Sequence, residues 1–291
     1  MTLEQLRIFT AVAECAHLTR AADMLNLSPS AASAAIRTLE ERYGARLFDR
    51  VGRRIALTDT GRLFLPEARA ALAAAAAAAL ALAESAGLKR GSLALQASQT
   101  VGAYWLPEVL MRFHAAYPAI ALSLEIGNTE TVARAVLEGV AELGFVEGEL
   151  DQPALGSRVV ATDRLLIVTA PQHPWALRTP AVSELAAGRW VLREPGSGTR
   201  SAFEAALAAE GVEVAQLDVV MNLPSNEAIL AALRGGGVAG VMSARAAETA
   251  IAAGRVVAVA LPLRERFFRL LWHKERYRTH AARALEALLP A

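Results

Sequence analysis

Residues 18–44 read LTRAADMLNLSPSAASAAIRTLEERYG, and this stretch decides the fold of the N-terminal part of the chain. Thr19 is placed as an N-cap for a short helix over residues 20–25, whose Ala21, Ala22 and Leu25 can face inward. Asn26-Leu27 makes a tight turn. Ser28-Pro29 then supplies a cap and a proline at the first helical position, Ile36, Leu39 and Tyr43 an apolar stripe, and Gly44 a stop. Upstream, Leu3, Leu6, Phe9 or Thr10, and Ala13 recur at helical spacing and predict an amphipathic helix over residues 3–15. Two short helices joined by a tight turn, behind a third, make a helix-turn-helix.

The exposed N-terminal face of the last of these helices carries Ser28, Ser30 and Ser33 among alanines. Such side chains are small enough to enter a major groove and can hydrogen-bond base edges or phosphates. Arg37 flanks them, and Thr19 and Arg20 join the candidate DNA-contacting set from the preceding helix. Residues 42–54 hold Arg42, Arg46, Arg50, Arg53 and Arg54 against the single acid Asp49, a local excess of four positive charges. Gly52 predicts a hairpin tip, a wing that lays arginines on the backbone or in a minor groove; Arg50, Arg53 and Arg54 belong to the set on that ground. A serine- and alanine-rich helix and an arginine cluster are each common as plain surface. It is their order within residues 1–58 that points to DNA.

Over all 291 residues, 30 basic side chains meet 29 acidic ones for a formal charge of +1, with 54% hydrophobic and 20% charged residues. That balance excludes a disordered tail protein and a uniformly basic DNA binder, so a nucleic-acid site has to be a local patch. Cys15 is the only cysteine. No intrachain disulfide or cysteine-based zinc cluster can form, and a cytoplasmic setting follows. MTLEQLRIF lacks the apolar core of a secretory signal. The longest apolar run, residues 70–83, is mostly alanine and falls short of the roughly 20 strongly apolar residues of a membrane span, so no membrane partner is expected. Within the alanine-rich stretch 59–88, residues 60–86 are nearly all helix formers, a rod roughly 40 Å long at ~1.5 Å per residue. Its large apolar groups are Leu63, Phe64, Leu72, Leu80 and Leu82, and the alanines between them suit a close-packed partner helix.

From residue 91 onward apolar strands alternate with amphipathic helices. Strands are predicted at residues 92–97, 120–126, 142–146, 164–169, 190–193, 217–222, 238–242, 256–261 and 267–272. Helices are predicted at 106–117, 129–138, 199–210 and 226–234. This is an α/β pattern with parallel sheets. In such sheets ligands sit beyond the carboxyl ends of strands, where helix N-termini offer free N–H groups. Ser98, Gln99 and Thr100 follow one strand, Asn128 another, and Glu147 a third. The loop Gly196, Ser197, Gly198, Thr199, Arg200 follows a fourth, and Asn226 a fifth. Glycines that let N–H groups crowd an anion, two hydroxyls and an arginine make this loop suited to a small anionic ligand. It is not a nucleotide P-loop, because no Gly-Lys-Ser/Thr follows. Glu147 is the exception among donors; it answers a cation on the ligand or pairs with Arg193 or Arg200.

The five histidines, His17, His114, His173, His273 and His280, lie in unrelated segments with no HxxxH or HExxH pair, so neither a catalytic constellation nor a metal site is expected. His17 reads as a cap or surface residue and Cys15 as a small core residue. A solute-binding protein would need the C-terminal region alone, and a transferase on this scaffold would need a constellation that the chain does not offer.

The segment MTLEQLRIFTAVAECAHLTRAADMLNLSPSAASAAIRTLEERYGARLFDRVGRRIALTDTG resembles the N-terminal pattern of the LysR-type transcriptional regulators, in the branch that governs sulfur assimilation and carbon fixation. LALQASQTVGAYWLPEVLMRFHAAYP, LREPGSGTR and PSNEAILAALRGGGVAGVMSARA resemble that family's effector domain. The family often has Gln-Pro after the capping serine where this chain has Pro29-Ser30, and longer polar residues at Ala34-Ala35. Fewer direct base contacts and more shape readout follow from that departure. The resemblance implies an α/β protein overall: an all-α winged helix-turn-helix over residues 1–58, a dimerising linker helix over 59–88, and a two-lobed, periplasmic-binding-protein-like α/β effector domain over 89–291. Lobe I is expected at about 91–161 plus 266–291, lobe II at about 162–265. It further implies a homodimer or homotetramer on double-stranded promoter DNA, contact with RNA polymerase, and a small-molecule effector in place of any catalytic cofactor. Ser98, Gln99 and Thr100 would hold one side of the effector and Gly196 to Arg200 the other, with Asn128 and Asn226 nearby.

Overall fold

Thr2 opens α1 (Leu3–Cys15) with a capping box: its hydroxyl accepts from the Gln5 N–H while the Gln5 side chain accepts from the Thr2 N–H. Leu6, Phe9 and Val12 face the core, whereas Leu3, expected inward, is half exposed. His17, not Thr19, caps α2 (Leu18–Met24); its Nδ1 accepts from the Arg20 N–H, and Thr19 lies one residue inside the helix. An imidazole nitrogen can cap as a hydroxyl can, and Ala21 and Ala22 are buried as expected. Asn26 takes the left-handed turn at φ 56°, a conformation its short amide tolerates. Ser28 then caps α3 (Pro29–Tyr43), with proline in the first turn and Gly44 at φ 60° closing it. Ile36 and Leu39 are buried; Tyr43 is exposed, one turn beyond the reach of the core.

Two short antiparallel strands follow, β1 (Phe48–Val51) and β2 (Arg54–Leu57), with Val51 opposite Arg54. The structure, a computed structural model, describes residues 1–51, 54–85, 91–148, 150–212, 214–261 and 263–290, with backbone alone at 50, 51, 54 and 83–85. Gly52 and Arg53, the expected wing tip, therefore lie outside the described residues. α4 (Asp59–Ser85) completes the N-terminal unit. Phe9 sits between Phe48 and Phe64, at ring separations of 5.3 and 5.0 Å, and joins α1, the hairpin and α4. The stretch Asp59–Leu82 is long and apolar enough by length and composition to cross a membrane, with mean hydropathy 1.5. This corrects the count made on residues 70–83 alone, since the helix starts well before its alanine run.

The C-terminal unit carries a mixed sheet. Its elements are β3 (Gly91–Ser98), α5 (Gln99–Tyr104), α6 (Leu106–Ala116), β4 (Ile120–Gly127), α7 (Thr129–Glu138), β5 (Leu143–Glu147), β6 (Leu155–Thr169), α8 (Val182–Ala187), β7 (Arg189–Arg193), α9 (Gly198–Ala209), β8 (Asp218–Leu223), α10 (Asn226–Leu233), β9 (Ala239–Ser243), α11 (Ala244–Ala252), β10 (Val257–Ala258), β11 (Glu265–His273) and α12 (His280–Leu288). Strand order is β4-β3-β5-β11-β6-β9-β7-β8, with β10 on β6. β3 runs parallel to β4 and β5, and β7 parallel to β8 and β9. The expectation of purely parallel sheets fails in the middle: β11 pairs antiparallel with β5 and β6, and β6 antiparallel with β9. The long β6 and β11 are return strands that join two half-sheets, and a return without a crossover helix has to be antiparallel. In the expected strand 256–261 only Val257 and Ala258 pair.

Each half-sheet has its own core. Leu93, Leu95, Phe113, Phe145, Phe268 and Leu270 lie at the centre of lobe I. In lobe II Trp190 packs against Trp175 and Phe203, at 5.6 and 4.8 Å, and its indole N–H donates to the Leu185 carbonyl. β6 carries residues of both cores, Val160 in one and Leu165 and Ile167 in the other, so the two half-sheets are joined through a continuous strand.

Truncating the ring that holds the N-terminal unit together is expected to be costly. Phe9→Ala should remove about 3–5 kcal/mol of stability from that unit, read as a lower denaturation midpoint of the isolated DNA-binding transition; a change under about 1 kcal/mol would show that the three rings do not form its core.

Candidate functional site

Two sets of residues emerge, one in each unit. In the N-terminal unit Thr19, Arg20, Ser28, Ser30 and Arg37 are exposed and Ser33 is half-buried along α2 and α3. The Ser28 oxygen accepts from the Ala31 N–H and lies 3.0 Å from the Ser30 hydroxyl, so Ser28 holds the helix start while Ser30 stays at the surface. Arg46 answers the one local acid, Asp49, at 3.8 Å. Arg50 and Arg54 fall on β1 and β2, opposite one another's strands.

In the C-terminal unit the carboxyl ends of β3, β5 and β7 converge with the starts of α9 and α10. Thr100 lies 3.5 Å from Thr199, and the Asn226 amide donates to Thr100 and to Gln99. Gln99 is a junction: its carbonyl also accepts from Arg193 and from the Asn226 N–H, and its amide donates to Glu227. Tyr104 donates to the same Glu227 carboxylate at 2.5 Å. Burial pushes the Glu227 carboxyl up, but donation from Tyr104, its own N–H, Ser225 and Gln99 outweighs this and holds it below its usual range. Burial and that carboxylate push the Tyr104 hydroxyl well up.

Beneath this layer lies a buried charged chain. Ser243 donates to Asp163, which holds Arg266 through Nε and Nη2 at 2.8 and 2.7 Å. Arg266 Nη1 donates to the Thr199 hydroxyl at 2.9 Å, and that hydroxyl donates to Glu147 at 3.3 Å. Ser98 donates to the other oxygen of Glu147. Arg266 itself is 3.8 Å from Glu147. Glu147 therefore pairs with neither Arg193 nor Arg200. Arg193 is taken by Glu194, and Arg200 turns to Glu204, Asn222 and the Arg193 carbonyl.

Several expected residues stand apart from this centre. Asn128 caps the first turn of α7 through Thr131 and donates to Glu194 and the Pro195 carbonyl. Gly196, at φ 84°, lets its backbone lie on Glu130, where a Cβ would come within 2.7 Å of the carboxylate. Gly198 allows α9 to start flat against Glu147; a Cβ there would meet its carbonyl at 2.3 Å. Ser197 is buried, and its hydroxyl has no hydrogen-bond partner among the described residues. Beside these groups opens a cavity of about 440 Å³ lined by Thr129, Glu147, Gly198, Ser201, Ala202, Arg264, Arg266 and Phe267. Its size and its mix of apolar wall and convergent polar groups suit a small molecule.

Sequence reasoning missed Arg266 and Asp163, and treated Arg193 only as a partner for Glu147. The signal was available in period-two patterning. Arg266 shares the inward face of β11 with Phe268 and Leu270, and Asp163 that of β6 with Leu165 and Ile167. A charge at an inward strand position has to find a buried partner.

Two family models match the chain: the bacterial regulatory helix-turn-helix protein, lysR family, over residues 3–62, and the LysR substrate binding domain over 86–291. The chain belongs to the LysR family of bacterial regulators. Members are DNA-binding transcriptional regulators with an effector-binding domain, not enzymes, and this chain is such a regulator. It is 36% identical over 289 residues to the HTH-type transcriptional regulator YeiE of Escherichia coli strain K12, covering 99% of this chain and 96% of that one. It is 30% identical to the RuBisCO operon transcriptional regulator of Allochromatium vinosum, covering 88% and 84%. The fold matches full-length CbnR complexed with its target DNA, with TM-score 0.68, 20% identity and 99% of both chains covered. It also matches the regulatory domain of Synechocystis CcmR in complex with 2-PG, with TM-score 0.62, 24% identity, and 68% of this chain and 96% of that one covered.

Removing the arginine at the centre of the LysR effector domain leaves two buried carboxylates facing each other's partners. Arg266→Ala should cost about 3–5 kcal/mol in urea denaturation, with Arg266→Lys recovering only part of it; full stability in the alanine variant would mean that Asp163 and Glu147 are not held by that charge.

Proposed function

We propose that this regulator senses a small anionic metabolite in the cleft of its effector domain and thereby changes transcription from promoter DNA read by its N-terminal unit. The observation that carries the anion is the buried, unpartnered Ser197 hydroxyl at the start of α9, two residues before Thr199, whose hydroxyl accepts from Arg266. A helix N-terminus adds its own partial positive charge there. Ser98, Gln99, Thr100, Thr199 and Asn226 stand behind the cavity wall, hydrogen-bonded to one another and to Glu147, and Asn128, Gly196 and Arg200 act by holding the surrounding loops in place. CcmR in complex with 2-PG, an anionic ligand by its chemistry, supports the same class.

DNA recognition rests on Ser30, Ser33 and Arg37 of α3, Thr19 and Arg20 of α2, the Ser28 cap, and Arg50, Arg53 and Arg54 of the wing. The exposed apolar side chains of α4, Leu63 and Leu82 among them, belong to a seam with a second copy, placing two heads on one interrupted palindrome. Asp59, Arg62, Glu67 and Arg69 in its first turns disfavour a membrane site. We divide the chain at about residues 58 and 88, in a cytoplasmic homodimer or homotetramer whose cleft state sets the placement of its heads and their contact with RNA polymerase.

A gel-shift assay with the upstream DNA of the chain's own gene should show sequence-preferring binding. Arg37→Ala should weaken binding to every DNA and lower the salt slope, whereas Ser33→Ala should alter sequence preference; equal loss on all sequences for Ser33→Ala would remove it from the reading surface.

Calorimetric titration with sulfate, phosphate and small carboxylates tests the effector class, and silence from all of them would end the anion reading. Thr100→Ala and Ser197→Ala should leave basal DNA binding intact and reduce effector affinity by about tenfold, the worth of one charge-assisted hydrogen bond.

A further inference from the structure

We propose that Glu147 is a tethered stand-in for the effector's anionic group, occupying its donors in the unliganded protein and setting the affinity threshold at which the regulator responds. The inference rests on the anion reading of the cleft. An anion entering beside α9 needs hydroxyl and guanidinium donors, and Glu147 already holds them. Ser98 donates to one of its oxygens and Thr199 to the other, while Arg266 stands 3.8 Å away.

The direction of these bonds is fixed by chemistry. Arg266 is donor-only, so the Thr199 oxygen must accept from it and turn its own hydrogen away. That hydrogen is directed to Glu147. Arg266 is in turn held by Asp163, and Asp163 by Ser243, so the donor set is rigid with or without a ligand. The Glu147 main chain is also fixed: it sits at the end of β5, its carbonyl accepts from the Thr129 hydroxyl, and it lies against Gly198. Its side chain is the member of the set that can yield. At the cap of α9 the buried Ser197 hydroxyl has no partner among the described residues, a donor that Glu147 does not occupy.

A ligand that wins this competition leaves a carboxylate to be rehoused toward the cavity, where Arg264 and Arg269 line the wall. A neutral molecule cannot compete for charge-assisted donors on these terms. Glu147 thus sets both a charge requirement and a threshold, and it is a specificity-determining residue rather than a ligand contact.

The test is calorimetric titration of the full-length protein with sulfate at constant ionic strength, for the native chain, E147Q and E147D, after matching urea midpoints establish that each variant is folded. The expected result is sulfate affinity at least about tenfold higher in E147Q, because a neutral amide holds hydroxyl and guanidinium donors less well than a carboxylate. E147D keeps the charge but retracts it by one methylene, and should fall between the two. Equal sulfate affinity in the native chain and E147Q overturns the proposal and leaves the anion reading standing. A gain in E147Q with E147D identical to native reports plain charge repulsion and also overturns it. If sulfate binds none of the three while glycine binds the native chain and not E147Q, Glu147 is a contact for the ligand's amine, and the anion reading falls with the proposal.

Discussion

A single guanidinium holds the centre of the effector domain. Arg266 lies on β11, the strand between β5 and β6 in the sheet, and it is almost completely buried. Removing a charge from water is costly, and the protein offsets that cost with Asp163 on the neighbouring strand and Thr199 at the start of α9. Asp163 is itself fixed by Ser243 at the end of β9. Strand ends and helix start are thus assembled around one ion, and the polar residues of the cleft take their positions from it. Gln99 plays a matching part nearer the surface, where one amide joins Arg193, Asn226 and Glu227.

The sequence made the N-terminal unit readable almost to the residue, because its signals are local. Ser28-Pro29, the turn at Asn26 and the stop at Gly44 act over a few residues, and local sequence determines them. Thr19 and His17 both lie within one turn of the helix start and both can cap it; in the structure the imidazole of His17 takes the Arg20 N–H. In the C-terminal unit strand positions were legible from apolar runs, but strand direction was not. Whether β11 runs with or against β5 depends on a return from residues far along the chain, and no short motif encodes it.

The site was legible in outline. Ser98, Thr100, Thr199 and Asn226 do converge through hydrogen bonds to one another and to Glu147, since they follow the ends of β3, β7 and β8. Arg200 and Asn128 were grouped with them by sequence proximity, yet a helix turns successive residues by about 100°. Arg200 therefore points to Asn222 and Glu204 while Thr199, one residue earlier, faces Glu147. The arginine that does face the cleft comes from a strand some seventy residues onward, and its place was marked only by a charge interrupting an inward-facing apolar row.

The aromatic packing of lobe II has an optical consequence. Phe203 lies midway along α9 and rests on Trp190 at 4.8 Å, while the first turn of the same helix carries Ser197, Gly198 and Thr199. The helix is packed at its middle against an indole, while its first turn lies among the polar groups around Glu147. Any displacement of that end would therefore be felt at the indole, so the emission of Trp190, one of four tryptophans in the chain, would report on the position of α9.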